Sequence, residues 1–195
     1  DMSHEISYIL FFTLTYWCKM KDSWESGATS LDQYHQVECK RGREFIIRLT
    51  TGADVYKAIK KFAVDKNITF GKIHAAFMGG FSPAKIAFWV PDTQDPENWH
   101  MERNVRIDNL SMLVSMSGMI HTRLEDGKPT PFPAIHYVIG GAWDVPTVGG
   151  HLVEGTIVKG VVEVFITEIL GIEALLPTGY DPEKDSAPEQ WYKES

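Results

Sequence analysis

Apolar residues recur at helical spacing in one stretch of the chain. Four of them lie three or four positions apart: Tyr56, Ile59, Phe62 and Ala63. This spacing predicts a helix over 53–66 with one buried face. Three lysines fall on the opposite, solvated side: Lys57, Lys60 and Lys61. Thr51 is the predicted N-cap, because its hydroxyl group can accept a hydrogen bond from the first helical turn.

The remaining apolar pattern is typical of strands. Short apolar or alternating runs cover 45–49, 72–78, 84–90, 101–107, 110–120, 134–139 and 159–169. Most links between these runs are too short for a crossover helix, so neighbouring strands are expected to run antiparallel. We therefore predict an α/β (α+β) domain with a mixed, mainly antiparallel sheet of six or seven strands and one main helix.

The two ends of the chain differ from this central part. Residues 6–17 form an uncharged, largely apolar run, which fits a degenerate targeting segment, an extra strand or a partner-binding segment. Three prolines and an acidic excess indicate an exposed tail over 177–195. The predicted organisation is an N-terminal segment and linker over 1–40, a folded domain over 41–176 and the acidic tail.

Composition narrows the class of protein. The chain has 195 residues, of which 44% are hydrophobic and 23% are charged, as in an ordinary globular domain. A chain of this length needs no disulfide or metal ion to fold, and its two cysteines do not form a CxxC zinc motif. No apolar run approaches the ~20 residues of a membrane-spanning helix. We expect a cytoplasmic protein, with export left open by the apolar run at 6–17.

The charge distribution bears on nucleic-acid binding. The net charge is −7, which disfavours tight contact with phosphates. Residues 41–66 nevertheless hold seven basic and three acidic residues. Any contacts with DNA are expected from five of the basic residues: Arg41, Arg43, Lys57, Lys60 and Lys61. The Lys-Arg-Gly-Arg run at 40–43 is similar to the core of an AT-hook, but Glu44 stands where that motif has Pro, so the start of a strand is the favoured interpretation.

Histidines are the candidate metal ligands. Two predicted strands each present a histidine between two neighbours on one face: Ala134, His136 and Val138, and Lys72, His74 and Ala76. Histidines from separate strands can converge on zinc, for which three protein ligands plus water form a common open site. The sequence has no HxH or HExxH motif, so spacing alone does not establish such a site.

The most distinctive local string is Val-Gly-Gly-His-Leu-Val-Glu-Gly at 148–155. Paired glycines allow close backbone approach, which can direct His151 into a cleft with Glu154 three residues further on. A tight turn with a hydrogen-bonded histidine is the competing interpretation. The candidate metal ligands are thus His136 and His151, with Glu154 and His74 as additional donors.

The stretch from Arg43 to about Gly171 resembles the Plant and Prokaryote Conserved (PPC) domain. Three features carry the resemblance: the strand at 45–49 followed by Gly-Ala-Asp-Val at 52–55; Ser-Met-Ser-Gly at 115–118; and Asp-Gly-Lys-Pro at 126–129 followed by His136 and the string at 149–155. Together they span roughly two-thirds of the chain in the right order.

The resemblance implies a mainly antiparallel α/β domain assembled as a homotrimer, of the prokaryotic type without an AT-hook. Plant members act as DNA-binding regulators, so DNA is an implied, weak partner. Many prokaryotic members carry a His-x-His pair before the Gly-Gly-His string. Here His136 matches the second histidine and Ala134 stands in place of the first. A metal site would therefore need another donor, such as His74 or Glu154.

Two functional hypotheses follow. The first is a non-catalytic, homotrimeric binding and regulatory module, because one helix covers only part of one sheet face and the uncovered apolar area favours self-association. The alternative is a zinc-dependent or small-molecule enzyme with a pocket around His136 and His151. In that enzyme zinc would activate water and Glu154 would carry a proton. No cofactor other than zinc is indicated.

Overall fold

The computed structural model of the protein describes residues 37–95, 99–125, 128–141, 147–175 and 191–194. All of them belong to the unit that begins at Val37. The hypotheses about residues 6–17, and the predicted tail between 177 and 190, lie outside these ranges.

The described residues form one helix and twelve strands. The helix, α1, spans Val55–Asp65. The strands are β1 (Lys40–Thr50), β2 (Gly71–Phe77), β3 (Gly80–Phe81), β4 (Ala84–Pro91), β5 (Trp99–Ile107), β6 (Ser111–Glu125), β7 (Lys128–Gly140), β8 (Val148–Leu152), β9 (Val158–Lys159), β10 (Val161–Leu170), β11 (Ile172–Leu175) and β12 (Trp191–Glu194).

Ten of the strands form one sheet. Eight of them follow the order β1-β10-β2-β6-β7-β8-β4-β5, while β3 pairs with both β6 and β9. Every ladder between the described strands is antiparallel. Strands β11 and β12 form a separate pair, so Trp191–Glu194, within the predicted tail, is a strand.

The mainly antiparallel sheet with a single helix is confirmed for the described residues, but the predicted number of six or seven strands is wrong. Strands β3 and β9 have only two residues each, too few to produce an alternating pattern. Strand β8 lies partly in the glycine-rich stretch at 140–150, where the sequence predicts a connection. It is a strand because it pairs with β7 on one side and β4 on the other.

Helix α1 begins later than the predicted cap at Thr51 requires. Asp54 is the N-cap, and its carboxylate accepts a hydrogen bond from the backbone N–H of Lys57. The hydroxyl group of Thr51 instead donates to the carbonyl group of Gly160 and accepts from its backbone N–H. Gly52 has φ +92°, so the chain turns there before the helix can start.

The core lies between α1 and one face of the sheet. Val55, Ile59 and Ala63 on the helix are fully buried. The sheet residues buried with them include Ile73, Ile135, Leu152, Val164 and Ile166. The opposite face of the sheet, called the outer face below, carries the side chains that alternate with these buried positions.

A bulge changes the predicted arrangement of β2. The register between β10 and β2 shifts between Phe165 and Ile166, opposite the middle of β2. Lys72 and His74 are both exposed, but Ala76 is buried in the core. The prediction that these three residues share one face is therefore wrong beyond His74, because the extra residue of a bulge reverses the alternation that follows it.

Candidate functional site

His136 and His151 face each other across two neighbouring strands. They are direct cross-strand partners in the antiparallel ladder between β7 and β8. Their ring centroids are 5.5 Å apart and the ring planes are inclined by 83°. His136 is exposed and His151 is half-buried. The structure therefore brings together the two histidines that the sequence singles out.

The paired glycines explain how β8 reaches this position. A Cβ atom on Gly150 would lie 2.6 Å from Cγ2 of Ile86, and one on Gly149 would lie 2.9 Å from the carbonyl oxygen of Tyr137. Only residues without a side chain fit that closely between β7 and β4. The Gly-Gly dipeptide thus seats the strand that presents His151, and the competing tight-turn interpretation does not hold.

Strand β7 presents its side chains as the alternation predicts. Ile135, Tyr137 and Ile139 are buried, whereas Ala134, His136 and Val138 point to the outer face. Ser117 of β6 is the cross-strand partner of His136 on the other side, and Ala87 of β4 is the partner of His151. The imidazole pair is therefore flanked by a hydroxyl group and a methyl group.

Glu154 does not join the imidazole pair. Its Oε2 atom lies 3.4 Å from Nζ of Lys57 on α1. The backbone turns beside it, where Gly155 has φ +88° and donates its N–H to Asp54. The predicted sharing of one volume by His151 and Glu154 is therefore not seen, because the turn directs the carboxylate towards the helix.

His74 belongs to a different hydrogen-bonded chain. Its Nε2 atom contacts Oγ1 of Thr167, and that hydroxyl group donates to Glu44 at 2.7 Å. The carboxylate also accepts a hydrogen bond from Arg41. The hydrogen bond from Arg41 is the main cause that lowers the pKa of Glu44, and the bond from Thr167 is the second. Because the hydroxyl hydrogen is given to Glu44, the imidazole Nε2 must donate to Thr167.

The donor set can be tested against the implied zinc ion. An open zinc site uses three protein ligands, and the structure brings only His136 and His151 into contact. Within the described residues there is no group of three or more His, Cys, Asp or Glu side chains that could hold a metal ion. The described residues therefore do not fit a three-ligand zinc site. The zinc enzyme of the alternative hypothesis would need a third protein ligand beside His136 and His151.

The five candidate DNA-contact residues differ in how strongly their side chains are held by contacts within the protein. Lys57 and Lys61 are exposed and lie beside single carboxylates, Glu154 and Asp65. Lys60 is on the same helix. Arg41 pairs with Glu44 at 2.5 Å with most of its side chain exposed.

Arg43 is committed to a structural contact. It makes a two-pronged ion pair with Glu168, with both hydrogen bonds at 2.7 Å, and it also donates to the carbonyl group of Lys66. The side-chain hydrogen bonding from Arg43 is the main cause that lowers the pKa of Glu168. The sequence gives no signal for this pair, because its members are 125 positions apart.

The outer face carries an unusual number of exposed apolar side chains. Phe77 is 66% exposed, Ile46 64%, and Val114 61%. Met112 and Met119 of β6 are exposed on the same face. The sequence anticipated uncovered apolar surface on β6, but Ile46 and Phe77 become neighbours of that surface only through the order β1-β10-β2-β6.

Comparison with known families now decides the identity of the domain. A model of the Plants and Prokaryotes Conserved (PCC) domain matches residues 36–170. The chain belongs to this family. The PCC domain is the same family as the PPC domain that the sequence motifs indicate. The match covers the strands from β1 to β10. No curated protein matches the chain.

Solved structures of other proteins share the PPC fold. A PPC protein of Pyrococcus horikoshii is 22% identical, with a TM-score of 0.61 over 81% of this chain and 99% of that one. A metal-containing protein of Archaeoglobus fulgidus is 25% identical, with a TM-score of 0.53 over 70% and 86%. A candidate DNA-binding protein of Bacteroides thetaiotaomicron is 17% identical, with a TM-score of 0.57 over 78% and 96%.

The described part of this PPC protein contains no helix long and apolar enough to cross a membrane.

Proposed function

We propose that the chain is an oligomeric binding and regulatory module of the PPC family, which assembles as a homotrimer through the outer face of its sheet and contacts DNA weakly. The observation that carries this proposal is the cluster of exposed apolar side chains on the outer face: Ile46, Phe77, Met112, Val114 and Met119. Monomeric proteins rarely leave a large apolar area in water, and these side chains all lie on strands of one sheet.

The surface proposed for assembly and the surface proposed for DNA contact lie on opposite sides of the sheet. Helix α1 packs on the core face of the sheet, so its lysines project from the side opposite the outer face. A subunit that self-associates through the outer face keeps Lys57, Lys60 and Lys61 accessible. Closed cyclic symmetry then repeats this basic surface once per subunit, which strengthens weak contacts by multivalency.

The charge pairs on the helix set the expected strength of DNA binding. Lys57 and Lys61 are paired with exposed carboxylates, and such surface pairs are worth little, so a phosphate group can replace the carboxylate. Arg43 is held by Glu168 and is not expected to contribute. A few available cations on a chain of net charge −7 support only weak binding, whose dependence on salt grows with the number of phosphate groups that are neutralised.

Light scattering behind a sizing column tests the assembly. The expected mass is three times the chain mass of 22.0 kDa. Ile46→Asp and Phe77→Asp place charges on the outer face and are expected to shift the mass towards that of one chain. Lys159→Glu, an exposed change elsewhere, is the control. A wild-type mass of one chain, constant over a hundredfold dilution, contradicts the trimer.

An electrophoretic mobility shift at low salt tests the DNA contact. The triple variant Lys57→Glu, Lys60→Glu, Lys61→Glu is expected to abolish the shift, whereas Lys159→Glu and Arg43→Gln are expected to leave most of it. Raising the salt concentration should weaken wild-type binding, because the contacts are with phosphate groups. A shift that survives the triple variant would disprove this footprint, and no shift for the wild type would remove DNA from the proposal.

A further inference from the structure

We propose that Met112 and Met119 make self-association through the outer face sensitive to oxidation, with a hydroperoxide as the oxidant and methionine sulfoxide as the product. The inference rests on the proposed assembly through this face and adds a means by which that assembly is controlled. It does not depend on DNA binding or on a bound metal ion.

Strand β6 separates its methionines by face. Met112 is 50% exposed and Met119 is 37% exposed, whereas Met116 is 2% exposed and packs in the core. A dissolved oxidant must reach the sulfur atom before it can react. The two methionines of the outer face are therefore open to oxidation in a single subunit, while Met116 on the same strand is protected.

Small neighbours leave the side chain of Met112 uncovered. Its cross-strand partners are Gly80 on β3 and Gly140 on β7, and neither has a side chain that could lie over it. Met119 lies between Lys72 on β2 and Ala134 on β7. Direct cross-strand partners are the nearest neighbours on a sheet face, so in the proposed assembly it is a second subunit that covers Met112.

The apolar surroundings make a sulfoxide group unfavourable in the assembled protein. Ile46, Phe77 and Val114 are exposed on the same face, and self-association buries the methionines among side chains of this kind. Oxidation converts the apolar, flexible methionine side chain into a polar one. A polar group that loses its water without gaining a hydrogen bond costs free energy, so oxidised subunits associate less tightly.

The chemical step is a two-electron transfer of one oxygen atom. With hydrogen peroxide, a lone pair on the thioether sulfur attacks one oxygen atom, and the S–O bond forms as the O–O bond breaks. The proton on the transferred oxygen passes to the departing hydroxide, which leaves as water. The sulfur is oxidised and the peroxide is reduced. Methionine sulfoxide reductases reverse the change, so the assembly can be restored.

Hydrogen peroxide treatment followed by light scattering behind a sizing column tests the proposal. The chain carries Cys18→Ser and Cys39→Ser, so that neither of its two thiols reacts. Treatment of dilute protein, whose subunits exchange, should shift the mass from three chains to one. Peptide mass spectrometry should find one added oxygen atom on Met112 and on Met119, and none on Met116.

Three variants separate oxidation at these positions from general damage. Met112→Leu with Met119→Leu keeps the face apolar but removes both sulfur atoms, so this protein should assemble and remain assembled in peroxide. Met112→Gln with Met119→Gln places polar side chains of similar length there, and should have the mass of one chain without any oxidant. Met101→Leu, on β5, is the matched control and should remain as sensitive as the wild type.

The outcomes distinguish the assembly from its control by oxidation. An untreated protein with the mass of one chain overturns both. Assembled protein that keeps its mass after Met112 and Met119 are oxidised overturns only the control, as does failure of peroxide to oxidise them in dilute protein. The control is also overturned if the double glutamine variant assembles like the wild type, or if the double leucine variant dissociates in peroxide as readily as the wild type does.

Discussion

Arg43 and Glu168 join the first strand of the sheet to its neighbour and to the end of the helix. The guanidinium group donates two hydrogen bonds of 2.7 Å to the carboxylate. The backbone N–H of Arg43 donates to the same carboxylate, and Nη2 of Arg43 reaches the carbonyl group of Lys66 at the C-cap of α1. The glutamate side chain is only 10% exposed, so one ion pair links β1, β10 and α1.

Replacing Glu168 with Gln is expected to lower the thermal stability of the protein. The amide keeps the shape of the side chain but loses the charge that holds the guanidinium group. We expect Tm to fall by about 2–4 °C, the shift produced by a loss of about one hydrogen bond in a domain of this size. The control is Glu163→Gln, whose arginine partner, Arg48, is more exposed. An equal or larger effect in the control would contradict this role of Glu168.

Burial of His121 makes stability depend on pH. The side chain is 4% exposed, and burial first, with repulsion from Arg123 second, lowers its pKa to about 4. In the unfolded chain the imidazole of His121 is protonated near pH 6.5. Between pH 6.5 and 4 the unfolded state therefore binds more protons than the folded state, and the free energy of unfolding decreases as the pH is lowered. The slope approaches about 1.4 kcal/mol per pH unit for one proton.

Denaturant unfolding of wild type and His121→Leu between pH 7 and 4.5 measures this contribution. The variant is expected to lose stability less steeply below pH 6.5 than the wild type does. The exposed His100 provides a control, because His100→Ala should leave the slope unchanged. Parallel curves for wild type and His121→Leu would show that another group is responsible.

Gly150→Ala is expected to disturb the histidine pair. The new methyl group would lie 2.6 Å from Cγ2 of the buried Ile86 and 2.9 Å from Cε1 of Phe88, so β8 must move. Overpacking of this kind costs about 1–3 kcal/mol of unfolding free energy. Histidine ring spectra should report a change at His151. Gly140→Ala, whose nearest neighbour is a side-chain oxygen at 3.3 Å, should be much milder, and similar losses in both would refute the packing argument.

Asp54 stabilises both the helix and the turn after β8. One carboxylate oxygen caps α1 through the N–H of Lys57 and the other accepts from the N–H of Gly155. Asp54→Ala should cost about 1–2 kcal/mol of unfolding free energy, since it removes the cap. Asp54→Asn should cost less, because it retains one acceptor oxygen. Asp65→Ala, at the exposed end of the helix, is the control. A loss for Asp54→Ala no greater than that for Asp65→Ala would exclude the cap as a stabilising element.

The sequence by itself determined the features that depend on near neighbours. The three-to-four spacing predicted a helix over 53–66, and Val55–Asp65 is the observed helix. The alternation in β7 placed His136 on one face with Ala134 and Val138. The spaced motifs from Phe45 to Gly155 also indicated the family that the match to 36–170 establishes. Each of these signals is carried by side chains a few positions apart, or by the order of short motifs.

Only the tertiary structure decided which strands meet and in what register. The bulge opposite Phe165 turned Ala76 into the core, and the pairing of β8 with β4 made a strand of a glycine-rich stretch. The pairing of His136 with His151, and the turn that directs Glu154 to Lys57, reduced four candidate ligands to two. These outcomes depend on contacts such as that between Arg43 and Glu168, 125 positions apart. Local periodicity does not encode the partner of a strand, because the alternation within a strand is the same in any register.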